Sequence, residues 1–317
     1  YCVALFVHIL RTKPDAIMAA TFPPVIAAWS ASLAARLAGA KFVYHMQDIH
    51  PEVSKYSGGR LGKGGLLHLL TRLDNATLRR SAAIVVLSGD MARTLERREA
   101  IRNLPVHVIN NFALDTFENG GSVPEQYRKP EGKLRIIFAG NLGKFQSLPL
   151  LTQGIAGCFD NHPELELFFL GDGVMKKQLQ EKWGSHPQVG FAPFLPFSEA
   201  KHLIAEADLG LVALTPDIIR VAYPSKVLTY LGLGVPILAM VEPESELARA
   251  ITDNGIGTVV PAHSPEAISD TLSRLLDSAD GLHGCRARVD DFYSHHFSKS
   301  AILPLWQSLF EKLGPGE

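Results

Sequence analysis

Short, almost wholly apolar runs alternate with helical patterns along this chain, and that alternation restricts its fold more than any other feature. Strand-like runs occupy residues 15–19, 41–46, 82–87 and 106–109, and helical patterns fall at 25–37, 66–80 and 89–98. A second alternation starts at residue 134, with strand-like runs at 134–139, 166–170, 189–192, 209–214, 235–241 and 257–260. Strands without a polar face must be covered on both sides, which requires parallel pairing through helical crossovers. The polar stretch from Asp115 to Lys133, with Gly120 and Gly121 in it, separates the two alternations as a linker. The expected fold class is α/β, two Rossmann-like domains with parallel sheets. The first covers 1–116, the linker 117–133, the second domain 134–299 and a C-terminal helix 300–317. The chain opens on a helical pattern at residues 2–11 with no initiator Met, which predicts a first domain lacking its start.

Composition narrows the function. The 317 residues are 46% hydrophobic and 20% charged, with a formal net charge of −1. That balance suits a packed core and excludes a dedicated nucleic-acid surface. Cys2, Cys158 and Cys285 lie far apart, with neither metal-ligand nor disulfide-framework spacing. A reducing compartment, and so a cytoplasmic location, is expected. The most apolar stretch, 24–40, is interrupted by Ser30, Ser32 and Arg36 before it reaches membrane-spanning length.

The most informative stretch runs Tyr223-Pro224-Ser225-Lys226 and on through Gly234-Val235-Pro236. It reads as loop, helix, turn and strand, with Ser225 as the N-cap and Gly234 in the left-handed position after the helix. Helix N-termini attract anions, and Lys226 adds a full charge on the first turn. Thr229 follows Ser225 by four residues, so both hydroxyls share a face. Many helices begin with Ser and Lys and bind nothing, so the reading depends on the rest of the chain.

Ligands of parallel α/β sheets bind beyond the carboxyl ends of the strands. There the sequence places Gly140-Asn141-Leu142-Gly143, which lets backbone amides approach a ligand but is not the Gly-x-Gly-x-x-Gly dinucleotide fingerprint. Gly171-Asp172-Gly173 reads equally as a tight turn or a ligand contact. Gln47, Asp48, His50 and Glu52 close a strand of the first half, where any loop would be polar, and His45 within that strand reads as a core histidine. Arg60, Lys63, Arg72, Arg79 and Arg80 flank a leucine-rich helix. They suit either an anionic membrane surface or an ordinary solvated face.

In order and spacing, Phe138-Ala139-Gly140-Asn141-Leu142-Gly143, Leu170-Gly171-Asp172-Gly173 and Tyr223-Pro224-Ser225-Lys226 resemble the donor domain of GT-B glycosyltransferases, family 4. Gln47 to Glu52, Val86-Leu87-Ser88, Val108 to Phe112, Asp115 and Phe117 resemble landmarks of that family's acceptor domain. The branch most similar serves bacterial O-antigen, capsule and exopolysaccharide synthesis. The resemblance implies a GT-B fold and retaining transfer from a nucleotide-sugar, with no cofactor and no metal. The acceptor would be a glycan or polyprenyl-linked glycan, with peripheral contact at the inner face of the plasma membrane. It assigns Gly140, Asn141, Gly143, Lys144, Ser225 and Lys226 to the donor diphosphate, Phe194 and Leu195 to the nucleobase and Thr229 to the ribose. Gln47, His50 and Glu52 fall on the acceptor side, and Asp48 is the candidate acid. Three departures stand out. The family's Glu-x7-Glu pair falls on Val221 and Thr229, its diphosphate-binding Arg and Lys are replaced by Asn141 and Gln146-Ser147, and its acceptor-domain His is Gln47. Rival expectations are a nucleotide-sugar 2-epimerase of the same fold and a catalytically silent scaffold subunit.

Overall fold

The computed structural model describes residues 2–56, 64–98, 103–113, 122–278 and 281–314. Arg60, Lys63, Asp115 and Phe117 lie outside them. The chain divides into two compact units. The first comprises Tyr1–Asn111, Asp217–Tyr223 and Ile302–Glu317, and the second Phe112–Pro216 and Pro224–Ala301.

The first unit contains α1 (Cys2–Thr12), β1 (Ala16–Ala20), α2 (Ile26–Ala38), β2 (Lys41–Met46), α3 (Glu52–Tyr56), α4 (Gly64–Arg80), β3 (Ala83–Val86), α5 (Gly89–Glu96) and β4 (Val106–Val108). Its strands pair in the order β1-β2-β3-β4, all parallel. Two helix ends follow their sequence signals. Gly39 takes φ 75° after α2, and the Ser88 hydroxyl accepts the Met91 N–H at the start of α5. The core packs Ala28, Ala31 and Ala35 of α2 against Phe42, Tyr44 and Met46 of β2. The leucines of α4 do not form the single broad face their spacing suggests. Leu70 and Leu78 are buried, whereas Leu66 and Leu69 are 43% and 53% exposed.

A buried ion network closes the carboxyl end of β2. The Arg98 guanidinium donates to Glu52 Oε1 at 2.9 Å and to the His50 carbonyl at 2.9 Å, and it also pairs with the fully buried Asp74. The Tyr44 hydroxyl donates to the other Asp74 oxygen at 3.0 Å. Burial pushes the Asp74 carboxyl up, and Arg98 pulls it back only in part.

The second unit holds β5 (Leu134–Ala139), α6 (Leu148–Ala156), β6 (Leu165–Leu170), α7 (Lys176–Trp183), β7 (Val189–Ala192), α8 (Phe197–Ala205), β8 (Leu209–Ala213), α9 (Lys226–Gly232), β9 (Ile237–Met240), α10 (Glu246–Asn254), β10 (Gly257–Val259), α11 (Pro265–Leu276) and α12 (Gly281–His296). The last helix, α13 (Lys299–Leu313), begins in this unit and continues in the first. The six strands are parallel, in the order β10-β9-β8-β5-β6-β7. This is the doubly wound order, with its switch point between β5 and β8. Arg135 of β5 is 1% exposed and fastens the incoming chain to the sheet. It pairs with Glu166 at 2.7 Å, donates to the carbonyls of Tyr127 and Arg128 and covers the Phe168 ring at 4.3 Å. No helix among the described residues is long and apolar enough to cross a membrane.

Replacing Arg98 by Leu leaves Asp74 as an uncompensated buried charge, at a cost of about 3–5 kcal/mol in urea unfolding. The deficit is expected to shrink as pH falls, because a protonated Asp74 needs no counter-charge. A loss below about 1 kcal/mol at neutral pH would contradict this account.

Candidate functional site

The second unit carries a cavity of about 340 Å³ at the carboxyl ends of β5 and β6, within the size range of small-molecule sites. Its floor depends on one phenol. The fully buried Tyr230 of α9 accepts the Ala139 N–H at 2.9 Å and donates toward the Ile137 carbonyl at 3.4 Å. Burial pushes its pKa up, so the hydroxyl stays protonated. Its ring fits because β8 has glycine opposite it. A Cβ on Gly210 would fall 2.5 Å from the Tyr230 ring.

Gly140 follows with φ 115° and donates to the Leu170 carbonyl at 2.8 Å. The loop after β6 presses directly on it. A Cβ on Gly171 (φ 137°) would fall 2.1 Å from the Gly140 oxygen, and one on Gly173 (φ 152°) 2.4 Å from the Leu142 oxygen. The Gly171-Asp172-Gly173 glycines are therefore explained by backbone approach between two loops. Gly171 also faces the cavity.

Lys226 supplies the site's cation. Its Nζ lies 4.5 Å from the centroid of the Phe138 ring and 3.5 Å from where a Gly140 Cβ would be. It has no carboxylate or hydrogen-bond partner among the described residues, and burial lowers its pKa to about 8. An amine near half-protonation at that pH gains its charge most readily when an anion arrives.

Of the donor-side residues expected from sequence, Gly140, Asn141, Phe194, Leu195, Ser225, Lys226 and Thr229 line this cavity. Gly143 and Lys144 do not. Gly143 packs against the Asn141 and Gln146 side chains, and Lys144 is exposed where a 3-10 turn begins. The expected cap at Ser225 is a correction. Pro224 starts the helical turn one residue early, with Val227 N–H donating to its carbonyl. Ser225 therefore has helical dihedrals (φ −56°, ψ −22°) and makes no side-chain cap bond. Ser225 lines the cavity and is exposed. Sequence reasoning did not single out Phe197, Ala200 and Ile204, which form an apolar wall with Phe194 and Leu195. Their i, i+3, i+7 spacing on α8 was the available signal.

The first-unit residues sit at the end of β2. Gln47 accepts from Asn111 Nδ2 at 2.8 Å, and its own amide nitrogen lies 3.0 Å from His45 Nε2. His45 is buried against the Trp306 ring, and burial lowers its pKa to about 4. Asp48 forms an antiparallel bridge with Ala222, and burial raises its carboxyl, with His50 partly opposing. Burial lowers His50 in turn. Glu52 is engaged by Arg98. No group of three or more His, Cys, Asp or Glu side chains that could hold a metal occurs among the described residues.

Residues 1–111 match the family model described as "Glycosyl transferase 4-like domain", and residues 133–278 match "Glycosyl transferases group 1". The chain is 28% identical over 252 residues to a probable glycosyltransferase, WbjE, of Pseudomonas aeruginosa, covering 75% of this chain and 60% of that protein. It is 25% identical over 277 residues to a putative colanic acid biosynthesis glycosyl transferase, WcaI, of Escherichia coli K12, covering 84% of this chain and 67% of that protein. Among solved structures, it resembles the sucrose-phosphate synthase of Thermosynechococcus elongatus, with TM-score 0.75, 12% identity, and 98% of this chain and 77% of that one covered. It also resembles Anabaena Alr3699/HepE in complex with UDP and glucose, with TM-score 0.71, 14% identity, and 96% and 81% covered. These likenesses show a GT-B fold.

Gly171→Ala is expected to cost roughly 3 kcal/mol or more, since it combines overpacking with backbone strain. Chemical denaturation measures it. A neutral result would mean the two loops do not need their close approach.

Proposed function

We propose that this chain is a GT-B glycosyltransferase, in line with the two glycosyl transferase models that match residues 1–111 and 133–278, and that it transfers a sugar from a nucleotide donor to a glycan or lipid-linked acceptor in bacterial polysaccharide synthesis. The observation that carries the reading is Lys226, a desolvated cation with no carboxylate or hydrogen-bond partner among the described residues, beside the bare Gly140 backbone in a cavity with an apolar wall. A nucleoside diphosphate matches those features, with its phosphates at Lys226, Ser225 and Asn141 and its base against Phe194 and Leu195. Negative charge grows on the diphosphate as the glycosidic bond breaks. A cation preorganised at that point stabilises the transition state more than the ground state. With Lys226 in this role the leaving diphosphate is neutralised without a metal; retention is what the family resemblance implies, and Asp48 is read as the acid or acceptor contact of the first unit. The WbjE and WcaI relatives support a place in polysaccharide synthesis. The complexes of HepE with UDP and of GtfA with UDP and GlcNAc support a nucleotide-sugar donor. A scaffold subunit would have no use for a half-buried, desolvated lysine with no counter-charge among the described residues of its cavity.

Lys226→Ala removes a charge-assisted contact worth about 1.5–3 kcal/mol, so nucleoside-diphosphate affinity should fall roughly tenfold to a hundredfold in calorimetry. Unchanged affinity in a folded variant would refute the site. With the free lysine at about pH 8, affinity should hold below that pH. It should decline above it, by up to about tenfold per pH unit while the free amine alone loses its proton. Ser225→Ala should weaken binding without a capping penalty, since no cap bond exists. NMR of the product's anomeric configuration tests retention, and full activity in excess EDTA is the expected sign of metal independence.

Membrane contact is the second part of the reading. Arg72 and Arg79 are exposed on α4, which also exposes Leu66 and Leu69, whereas Arg80 is only half-exposed and its Nη1 is buried. Two arginines contribute roughly 2 kcal/mol at an anionic surface. Low-salt pelleting with phosphatidylserine vesicles should weaken about thirtyfold on joint Arg72→Gln and Arg79→Gln substitution. Equal pelleting with neutral vesicles would remove the claim.

A further inference from the structure

The donor cavity has a chemical asymmetry. Its lining offers one cation, Lys226, and no carboxylate among the described residues. The Tyr230 hydroxyl is already engaged by the backbone of β5. Asn141 stands at the glycine loop, and Ser225 beside Lys226. The polar side chain left for a sugar ring is Thr229, one turn further along α9. A nucleotide's furanose lies between its phosphates and its base. With phosphates at Lys226 and the base against Phe194 and Leu195, as read above, Thr229 is the polar lining side chain one turn from Lys226 for a ring placed between them.

Dinucleotide-binding α/β sites fix a ribose through an Asp or Glu that accepts the 2′-hydroxyl. A site built around such an acceptor rejects an analogue lacking the hydroxyl by large factors, because its polar group is left desolvated and unpaired. Thr229 is neutral and half-buried, and its hydroxyl has no hydrogen-bond partner among the described residues. Water can serve it when the 2′-hydroxyl is missing, so the penalty that produces rejection does not arise.

We propose that this site does not discriminate ribose from 2′-deoxyribose, so that 2′-deoxyribonucleoside diphosphate sugars belong to its donor class together with ribonucleotide ones. The inference rests on the donor-site reading above.

Calorimetry on the whole chain with the paired ligands UDP and dUDP, and GDP and dGDP, tests it. For whichever base binds, the deoxy form is expected within tenfold of the ribo form. A wild-type preference for ribose above tenfold overturns the inference while leaving the donor site intact. If no nucleoside diphosphate of either sugar binds, the donor-site reading falls and this inference with it. Thr229→Glu places a carboxylate at the ring and is expected to open a ribose preference above tenfold. Its failure to do so in a folded protein overturns the placement of the ring. Should Thr229→Glu not fold, Thr229→Val is expected to keep the two forms within tenfold, and a wider gap counts against the proposal.

Discussion

The hydrogen bond from Ala139 N–H to the Tyr230 hydroxyl is the contact on which the cavity of the second unit depends. A strand at the switch point of a doubly wound sheet ends with backbone groups that must be paired or solvated. Here a side chain from a later helix pairs the last of them, inside the core and away from water. The chain can then turn at Gly140 with its next amide on the Leu170 carbonyl. The same residue fixes α9 against β5, so Ser225, Lys226 and Thr229 take their positions from it. Gly210 makes this possible by being absent as a side chain, since any Cβ there would occupy the space of the Tyr230 ring.

Much of this was legible in the sequence, and the parts that were not have physical causes. Parallel sheets follow from strands with no polar face, and ten strands appear where apolar runs predict them. Helix α12 was not foreseen. Its buried side is set by contact with α9 and α11 rather than by a clean apolar stripe. Ser225 is expected as a cap because a serine hydroxyl can accept one of the unpaired amide protons of the first turn. What decided otherwise was Pro224, whose carbonyl begins the turn a residue early. The role of Gly171 and Gly173 could not be read locally, because the atoms they avoid belong to residues 140 and 142.

Lys226 shows how function departs from economy of stability. A lysine so desolvated that its pKa falls to about 8 destabilises the empty protein at neutral pH, relative to an apolar residue of similar size. With the folded value below the ordinary 10.5, the unfolded chain binds more protons between these limits, so the empty protein gains stability as pH rises through them. The Phe138 face beneath the amine returns part of the loss as a cation–π contact. An anion in the cavity would return the rest.

The two units treat the ends of their strands in opposite ways. After β2, Arg98 takes Glu52, Asp74 and the His50 carbonyl, which leaves that loop internally satisfied and its conformation fixed by charge pairing. After β5, the backbone turns on glycine and a cation stays unpaired among the described residues. A satisfied network holds its shape but offers little new binding energy, because each group would have to exchange one partner for another. An unsatisfied one gains on binding what it lacked on folding. The same architecture thus yields a charge-paired strand end in one unit and, in the other, a strand end whose cation has no carboxylate or hydrogen-bond partner among the described residues.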